Sequence, residues 1–141
     1  MFNLGVNTWQ LHYLRLTNQL TDNWDTAKGV FEKMNYFYMT VLKSLEGTGG
    51  LKEFGKRQGS VWMTAWGLRV FAHTAFQEWE DYIYIDPRVM ETCASWLLNF
   101  QSDDGHFVEN YDKYRNWTRL DRYKSGVFDY LGLICGENRL T

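Results

Sequence analysis

The chain has 141 residues, enough for one domain, of which 45% are hydrophobic and 18% aromatic. This composition excludes a disordered chain, because disorder needs few apolar residues and a high net charge. Fifteen Lys and Arg against 17 Asp and Glu leave a formal net charge of -2, with the two signs interspersed. Such a charge does not favour binding to nucleic acid or to an anionic membrane. No apolar run approaches the ~20 residues that span a bilayer.

The first predicted element is an amphipathic helix near the amino end. Its large apolar residues recur at spacings of three and four, so they form one stripe that is expected to face a core. The stripe consists of Val6, Trp9, Tyr13, Leu16 and Leu20. Because no basic segment and no small-residue cleavage site precede it, we expect no signal peptide in this chain.

A second helix is expected to follow the capping residues Thr21 and Asp22, with Asp25 in its first turn, where the helix end favours an anion. It is expected to end at the glycine-rich residues 46–50, because glycine takes the left-handed cap conformation without strain. The pattern predicts an outer, amphipathic helix. Its apolar face is formed by Ala27, Val30, Met34, Phe37, Val41 and Leu45.

Residues 60–76 leave almost no polar face, and a helix of this kind is buried on most sides. After it, Asp86 is expected to cap a fourth helix whose first position is Pro87, where the missing N–H costs nothing. A last apolar segment, 127–135, is the counterpart of the helix at 60–76. Outer and inner helices are therefore predicted to alternate. The apolar stripe of the fourth helix consists of Val89, Cys93, Trp96, Leu97 and Phe100.

A unit of helix, glycine-containing loop and apolar helix occurs twice, about 56 residues apart. The first copy runs from 48–54 into 59–62, and the second from 104–110 into 125–128. A repeat of helical hairpins buries the apolar face of each unit against the next, as in helical solenoids and closed α/α rings. Such a chain is predicted to be stable only as part of a stack.

Several motifs along residues 1–110 resemble those of one protein family. They are Leu14–Thr21, Glu53–Gly55, Gly59–Trp66, Tyr82–Asp86, and Trp96–Leu98 followed by Asp104–Phe107. In this order they resemble the thioester domain of the alpha-2-macroglobulin and complement superfamily. The resemblance extends in particular to the insect thioester-containing proteins and the macroglobulin-complement-related proteins.

The resemblance implies an all-α fold, an (α/α) toroid of about six hairpins, of which this chain supplies the first half or slightly more. Residues 1–141 are then one partial toroid domain, in which residues 111–141 match the family poorly. Hairpins that should close against a missing half would leave an apolar face in water, larger than soluble monomers normally tolerate. We therefore expect the isolated chain to be poorly stable, to aggregate or to self-associate.

In the family, a thioester joins the cysteine and the glutamine of a Gly-Cys-Gly-Glu-Gln motif. A segment that Met1-Phe2-Asn3 matches follows this motif almost at once. The resemblance therefore implies that the chain begins just after the motif and contains neither reactive residue.

Many members of the family also carry a histidine in the loop after an Asp-Gly-x-Phe motif. It attacks the thioester and passes the acyl group to a hydroxyl. The corresponding position falls near Arg115 or Asn116, and a guanidinium stays protonated and cannot be this nucleophile. The resemblance thus implies a parent protein that prefers amines or has lost the covalent chemistry.

We predict no catalytic residue and no cofactor within the chain. Asp103 and Asp104 resemble a cation-binding pair, but the position where such a motif needs a further acid is Phe107, so a loop and capping role is favoured. Residues 47–50 lack the strand context and the lysine of a phosphate loop. The tryptophans recur at helical spacing, which favours a core over a carbohydrate or isoprenoid cavity.

No metal site is predicted, because no histidine has a partner at ligand spacing. The histidines are His12, His73 and His106. Cys93 and Cys135 either pair in an oxidising compartment or are two buried thiols, and their spacing does not distinguish the alternatives. Asn116 begins an Asn-Trp-Thr acceptor pattern for N-glycosylation, which matters only in an exported chain.

Three functional classes remain. The resemblance favours a non-enzymatic module of a secreted protein that traps proteases or marks microbial surfaces. The alternative is a structural or adhesion scaffold that keeps the toroid without the chemistry. An enzyme on the same toroid, such as a terpenoid cyclase or a prenyltransferase subunit, needs an acidic motif or a zinc site, and the sequence has neither. The resemblance implies as partners the remainder of the parent toroid, neighbouring macroglobulin-type domains, and proteases or microbial surfaces for an extracellular parent.

Overall fold

The computed structural model describes residues 1–53 and 58–109. These residues form four α-helices, α1 (Phe2–Leu16), α2 (Trp24–Leu42), α3 (Val61–Thr74) and α4 (Pro87–Leu98), and a 3₁₀ helix at Gln77–Trp79. Strand-like pairing within the described ranges is limited to isolated bridges in the loops. The predicted all-α fold is confirmed, whereas the predicted segment 127–135 lies outside the described residues.

The four helices pair as two hairpins. α1 packs on α2, α3 packs on α4, and the hairpins meet where α1 contacts α3. α1 and α3 are therefore inner helices, and α2 and α4 are outer helices, as expected of consecutive units in an α/α ring. The core between them includes Leu4, Leu11, Met34, Phe71 and Leu97.

The loops after α2 and α4 share one backbone design. Each is closed by an antiparallel bridge, and the two bridges lie 56 residues apart, Leu45 to Leu51 and Gln101 to Phe107. At the turns, Gly49 and Gly105 have positive φ angles of 109° and 87°, which residues with a Cβ rarely adopt. The predicted repeat is confirmed for these two loops. In each loop the glycine allows the backbone to turn, and it does not cap the preceding helix.

The predicted core stripe of the first helix is wrong within α1, whereas its fifth member, Leu20, lies beyond the helix and packs partly buried against the core. Its members Val6, Trp9, Tyr13 and Leu16 are 48%, 45%, 62% and 72% exposed. The buried side of α1 is formed instead by Leu4, Gly5, Thr8 and Leu11. The spacing correctly predicts a helix, but residues three and four apart share a side on any face of a helix. Which face is buried depends on the neighbouring helices.

α2 is shorter than its predicted range. Its N-cap is Asn23, which makes no side-chain capping bond, so the predicted caps Thr21 and Asp22 are wrong. The helix ends at Leu42, ahead of the glycines, because the chain turns into the loop that Ser44 and Lys52 close with a backbone hydrogen bond. Its buried side agrees with the prediction at Ala27, Val30, Met34 and Val41 and also includes Phe31 and Tyr38.

The predicted buried helix is confirmed as α3. Its N-cap is Ser60, whose hydroxyl accepts a hydrogen bond from the Met63 N–H at 3.2 Å. One side of the helix is nevertheless accessible, and Trp62 is 42% exposed there. α3 is therefore buried by α1 and α4 on most of its circumference but not on all of it.

α4 begins at Pro87 and is capped by Asp86, as predicted. The Asp86 carboxylate accepts the Arg88 N–H at 2.9 Å, and this bond satisfies a donor that has no partner within the helix. Cys93, Trp96 and Leu97 are buried on the predicted stripe. The cap fixes where α4 begins, and the buried stripe is the side of α4 that packs against α3.

We expect Asp86→Ala to lower the free energy of unfolding by about 1 kcal/mol, because the first turn of α4 loses its side-chain acceptor. The measurement is urea unfolding of the full chain, followed by tryptophan fluorescence. Asp81→Ala removes an exposed carboxylate from the same connection and is expected to change the free energy by less than about 0.5 kcal/mol. An equal loss in both variants would contradict the capping role.

Candidate functional site

α1 and α3 lie side by side and run in the same direction. A Cβ added to Gly5 would lie 3.4 Å from Val70, so the helices approach closely where α1 has no side chain. About one turn further along both helices, the buried hydroxyls of Thr8 and Thr74 are 2.8 Å apart and hydrogen bonded. Because the contacts advance together along both helices, the pair is parallel.

Large, partly exposed apolar side chains line one side of this helix pair, and we call this surface the inner face. It consists of Phe2, Val6, Trp9, Tyr13 and Leu16 of α1 and Trp62 and Trp66 of α3. Trp9 and Trp66 belong to the same cleft of about 170 Å³, which Arg69 and Val70 also line. A contiguous apolar surface is typical of a contact with another part of a protein.

The inner helices carry no acidic residue, although the chain has 17 Asp and Glu. Their basic and histidine side chains lie toward the carboxyl ends, where positive charge complements the partial negative charge of a helix end. These residues are His12, Arg15, Arg69 and His73. The inner face is thus apolar along its length, and Arg69 lines its cleft beside Trp9 and Trp66.

His12 and His73 are brought together by the packing of α1 on α3. The ring Nε2 of His12 lies 2.8 Å from the carbonyl oxygen of His73. Because a carbonyl only accepts, His12 donates this hydrogen bond and carries a proton on Nε2. The His12 ring lies 4.5 Å from that of Trp79, and the His73 ring 4.4 Å from that of Trp9, measured between centroids. The pair is held within an aromatic cluster.

Burial lowers the pKa of His73 below the ordinary value of 6.5, and the positive charges of Arg69 and His12 act in the same direction. The folded state then binds this proton less readily than the unfolded state. Neutral His73 therefore favours the folded state. This contribution to the free energy of unfolding is fully present above the unfolded pKa, and it is lost as the pH falls through 6.5 toward the lower folded pKa.

We therefore expect the free energy of unfolding to fall as the pH is lowered from about 7.5 to about 5.5, and His73→Gln to make this decrease shallower. The measurement is urea unfolding of both proteins at several pH values across the range. Slopes that coincide in the two proteins would show that His73 does not contribute.

The amino end of α3 is where the two repeated loops meet; we call the group of Leu51, Ser60, Val61 and Glu109 the rim. From the loop after α2, the carbonyl of Leu51 accepts the Ser60 N–H at 2.9 Å. From the loop after α4, the carboxylate of Glu109 accepts the Val61 N–H at 2.6 Å. Sequence spacing did not predict this convergence, because Glu109 reaches α3 across 48 residues of chain.

Of the cysteines and the glycosylation pattern, only Cys93 is described. Its side chain is buried, and burial raises the pKa of the thiol to about 11, so little reactive thiolate is present near neutral pH. Cys93 forms no disulfide with another described residue. Cys135 and Asn116 lie outside the described residues, as does Arg115. A disulfide or a second buried thiol at Cys135 and a glycan at Asn116 stay predictions.

The acidic pair lies in the turn after α4. Asp104 accepts the His106 N–H at 3.1 Å, and its other carboxylate oxygen lies 3.5 Å from Nε2 of the same histidine. The predicted loop role is thereby confirmed for Asp104. Within residues 1–53 and 58–109, no group of three or more His, Cys, Asp or Glu could hold a metal ion. Across the same ranges, no helix is both long and apolar enough to cross a membrane.

Known proteins resemble this chain over most of its length. The sequence model of the A-macroglobulin TED domain matches residues 1–123. The chain is 31% identical to ovostatin of Gallus gallus over 103 residues, 24% identical to ovostatin homolog 1 of Homo sapiens over 104, and 31% identical to complement C3 of Oncorhynchus mykiss over 100. These alignments cover 72%, 74% and 70% of this chain but only 6%, 8% and 6% of the respective relatives.

Proposed function

Because this chain belongs to the A-macroglobulin TED domain family, we propose that it is part of the thioester-type domain of a larger secreted protein of the alpha-2-macroglobulin and complement superfamily. The parent traps proteases or marks microbial surfaces, and the chain acts in it as a non-enzymatic module. The short share of each relative that the chain matches is consistent with a module of a much longer protein.

The inner face is the observation that carries this proposal. α1 and α3 pack as neighbouring inner helices, yet Trp9, Tyr13 and Leu16 are accessible to water. A domain complete with two hairpins would carry polar residues on such a face. In an α/α ring, the inner helices of further hairpins cover it. The proposed partners are therefore the remaining hairpins of the parent toroid, with neighbouring macroglobulin-type domains outside them.

In the proposed domain the reactive group lies on the amino side of Met1, and residues 1–141 supply the frame beside it. Attack on a thioester by an amine or a hydroxyl forms an amide or an ester and releases the cysteine thiolate. No residue of this chain is proposed to react. The chain contributes the parallel pair α1 and α3, which orients the amino end of α1 relative to the rim.

A second candidate function is a scaffold that has lost the covalent chemistry. One observation favours it: His106 is the last histidine in the sequence, so the loop that carries the attacking histidine in many family members has none. A parent that transfers its acyl group to amines also agrees with this sequence. Both candidate functions include secretion of the parent and N-glycosylation at Asn116.

The test begins with the coding sequence on the amino side of Met1. If a Gly-Cys-Gly-Glu-Gln motif is encoded there, the purified parent is expected to incorporate labelled methylamine, and replacement of the motif's cysteine by serine is expected to abolish incorporation. An intact motif without incorporation would contradict the thioester proposal. A motif that lacks its cysteine would favour the scaffold.

A further inference from the structure

The contact between α1 and α3, which we call the seam, ends in a pair of histidines. Toward the amino ends the seam is formed by close packing at Gly5 and by the hydrogen bond between Thr8 and Thr74, neither of which titrates. At the carboxyl end, the His12 ring donates a hydrogen bond to the His73 carbonyl. That carbonyl is among the last four of α3, which have no partner within the helix. A titratable side chain therefore closes both the seam and the end of α3.

The histidine pair is partly buried among aromatic rings from several elements. The two imidazoles lie edge to face, 6.2 Å apart between centroids. Trp9 of α1 packs on the His73 ring. Trp79 of the 3₁₀ helix packs on the His12 ring, and Phe31 of α2 lies behind Trp79. Charges interact more strongly in such a partly buried cluster than on an open surface.

The charged side chains beside the pair are two arginines. The Cζ of Arg15 lies 4.5 Å from the centroid of the Phe76 ring, and this ring is 5.7 Å from that of His12. On α3, the charge of Arg69 opposes a positive charge on His73. No carboxylate among the described residues forms an ion pair with either histidine. The acids nearest in sequence on the neighbouring elements are exposed, and they are Glu32, Glu78 and Glu80.

The same cluster offers no spare acceptor to a further ring proton. Nε of Arg15 and Nε1 of Trp79 are buried, and neither has an acceptor among the described residues. Burial also lowers the pKa of His73, with the charges of Arg69 and His12 acting in the same direction. A helix end attracts a cation, but two like charges about 6 Å apart in a partly buried site repel each other more strongly. Protonation of the pair is therefore unfavourable while the seam is closed.

The seam is also the least extensive of the three helix contacts. α1 packs more extensively on α2, and α3 on α4, than α1 packs on α3. A protein opens locally where few buried contacts are lost. Repulsion at the carboxyl end of the seam is therefore expected to separate the two hairpins there before either hairpin unfolds.

We propose that the seam is pH-sensitive: protonation of the His12 and His73 pair separates α1 from α3 at their carboxyl ends, while each hairpin stays folded. Opening lets water reach both rings and solvate their charges. It is favoured as the pH falls below 6.5, the ordinary pKa of histidine. The proposal concerns described residues alone and needs no thioester, so it does not depend on the proposed function.

The experiment measures amide hydrogen exchange of the full 141-residue chain at about pH 7.5 and about pH 5.5, corrected for the intrinsic effect of pH on exchange. Ala75, Phe76 and Trp79 report the opening, because their N–H groups bond at the end of α3 and in the 3₁₀ helix. Amides within α2 and α4 report global unfolding. Each measurement is repeated at low urea concentrations, because the effect of urea scales with the surface that an opening exposes.

At the lower pH we expect protection of the three reporter amides to fall about tenfold, which corresponds to a pKa difference of about one unit between the closed and open states. Their exchange is expected to depend little on urea, whereas α2 and α4 are expected to stay more protected and to respond steeply. A steep urea dependence at the reporter amides would show global unfolding and overturn the proposal. Protection that does not change with pH would also overturn it.

The variants test whether the pair is responsible. The double variant His12→Gln and His73→Gln keeps a donor at each position but does not titrate, so the fall in protection is expected to disappear. His106→Gln makes the same change at an exposed histidine after α4 and is expected to keep the wild-type fall. A fall that persists in the double variant, or disappears in His106→Gln, would overturn the proposal.

Should the double variant fail to fold, His73→Gln alone is measured. This change leaves the bond from His12 to the main-chain carbonyl in place and removes one of the two titrating rings. The fall in protection at the reporter amides is expected to be smaller than in the wild type. A fall of undiminished size would overturn the proposal.

Discussion

The full chain is expected to self-associate in solution and to elute ahead of a 16.8 kDa monomer, because the inner face exposes large apolar side chains to water. The triple variant Phe2→Lys, Tyr13→Lys and Leu16→Lys is expected to weaken association by about tenfold or more, equivalent to ~1.4 kcal/mol or more. The physical reasons are the loss of buried apolar area and the repulsion of like charges across the contact. The measurement is sedimentation equilibrium over a range of concentrations.

The matched control places the same three charges on the outer helices. Tyr36, Met39 and Leu98 are 69%, 58% and 62% exposed, similar to the residues changed on α1. Their replacement by lysine is expected to leave association largely intact, because α2 and α4 face away from the ring interior. A monomeric wild-type chain with one cooperative unfolding transition would contradict the open-ring interpretation. Equal weakening by both triple variants would show that net charge alone causes the effect.

Gly49→Ala is expected to lower the free energy of unfolding by about 3 kcal/mol, which combines overpacking with left-handed strain. The positive φ of 109° disfavours any residue with a Cβ, and a Cβ added there would lie 2.5 Å from the backbone oxygen of Thr92 in α4. Because the opposing atom belongs to a helix backbone, it cannot move aside as a flexible side chain would. Urea unfolding measures the loss.

Gly29→Ala is the control for Gly49→Ala. Gly29 lies within α2, and a Cβ added there would have no atom within 4 Å in the described structure. Alanine is favoured over glycine in a helix interior, so this variant is expected to gain up to about 1 kcal/mol. If both variants lose stability equally, the effect at Gly49 comes from glycine substitution in general and not from the contact with Thr92.

The positions of the helices and of the repeated loops could be predicted from local sequence. Asp86 and Pro87 correctly predict the start of α4, because a cap and a fixed φ act within one turn. The glycine loops were predicted from their repeat, although the role of Gly49 was not. It was expected to cap α2, whereas its positive φ serves a turn that packs on α4. Local sequence shows that the turn needs glycine. It does not show which backbone atoms will pack against that glycine in the folded chain.

The candidate site was less predictable. His12 and His73 have no recognisable spacing, since 61 residues separate them, and only the parallel packing of α1 on α3 joins them. Glu109 lies in the second copy of the repeated unit, but its bond to Val61 spans two hairpins. The repeat itself was the available signal for Glu109, because it placed a glutamate at the same position, Glu53, in the first loop.

The sequence by itself determined that the chain is helical, where most helices and loops lie, and which family it belongs to, because caps, turns and apolar periodicity act over a few residues. Only the tertiary structure decided which face of α1 is buried. The large residues Trp9 and Tyr13 have the spacing of a core stripe, but Gly5 and Thr8 form the contact, because parallel inner helices approach closely only where side chains are small. The periodic pattern specifies a face, and the neighbouring helices determine whether it is covered.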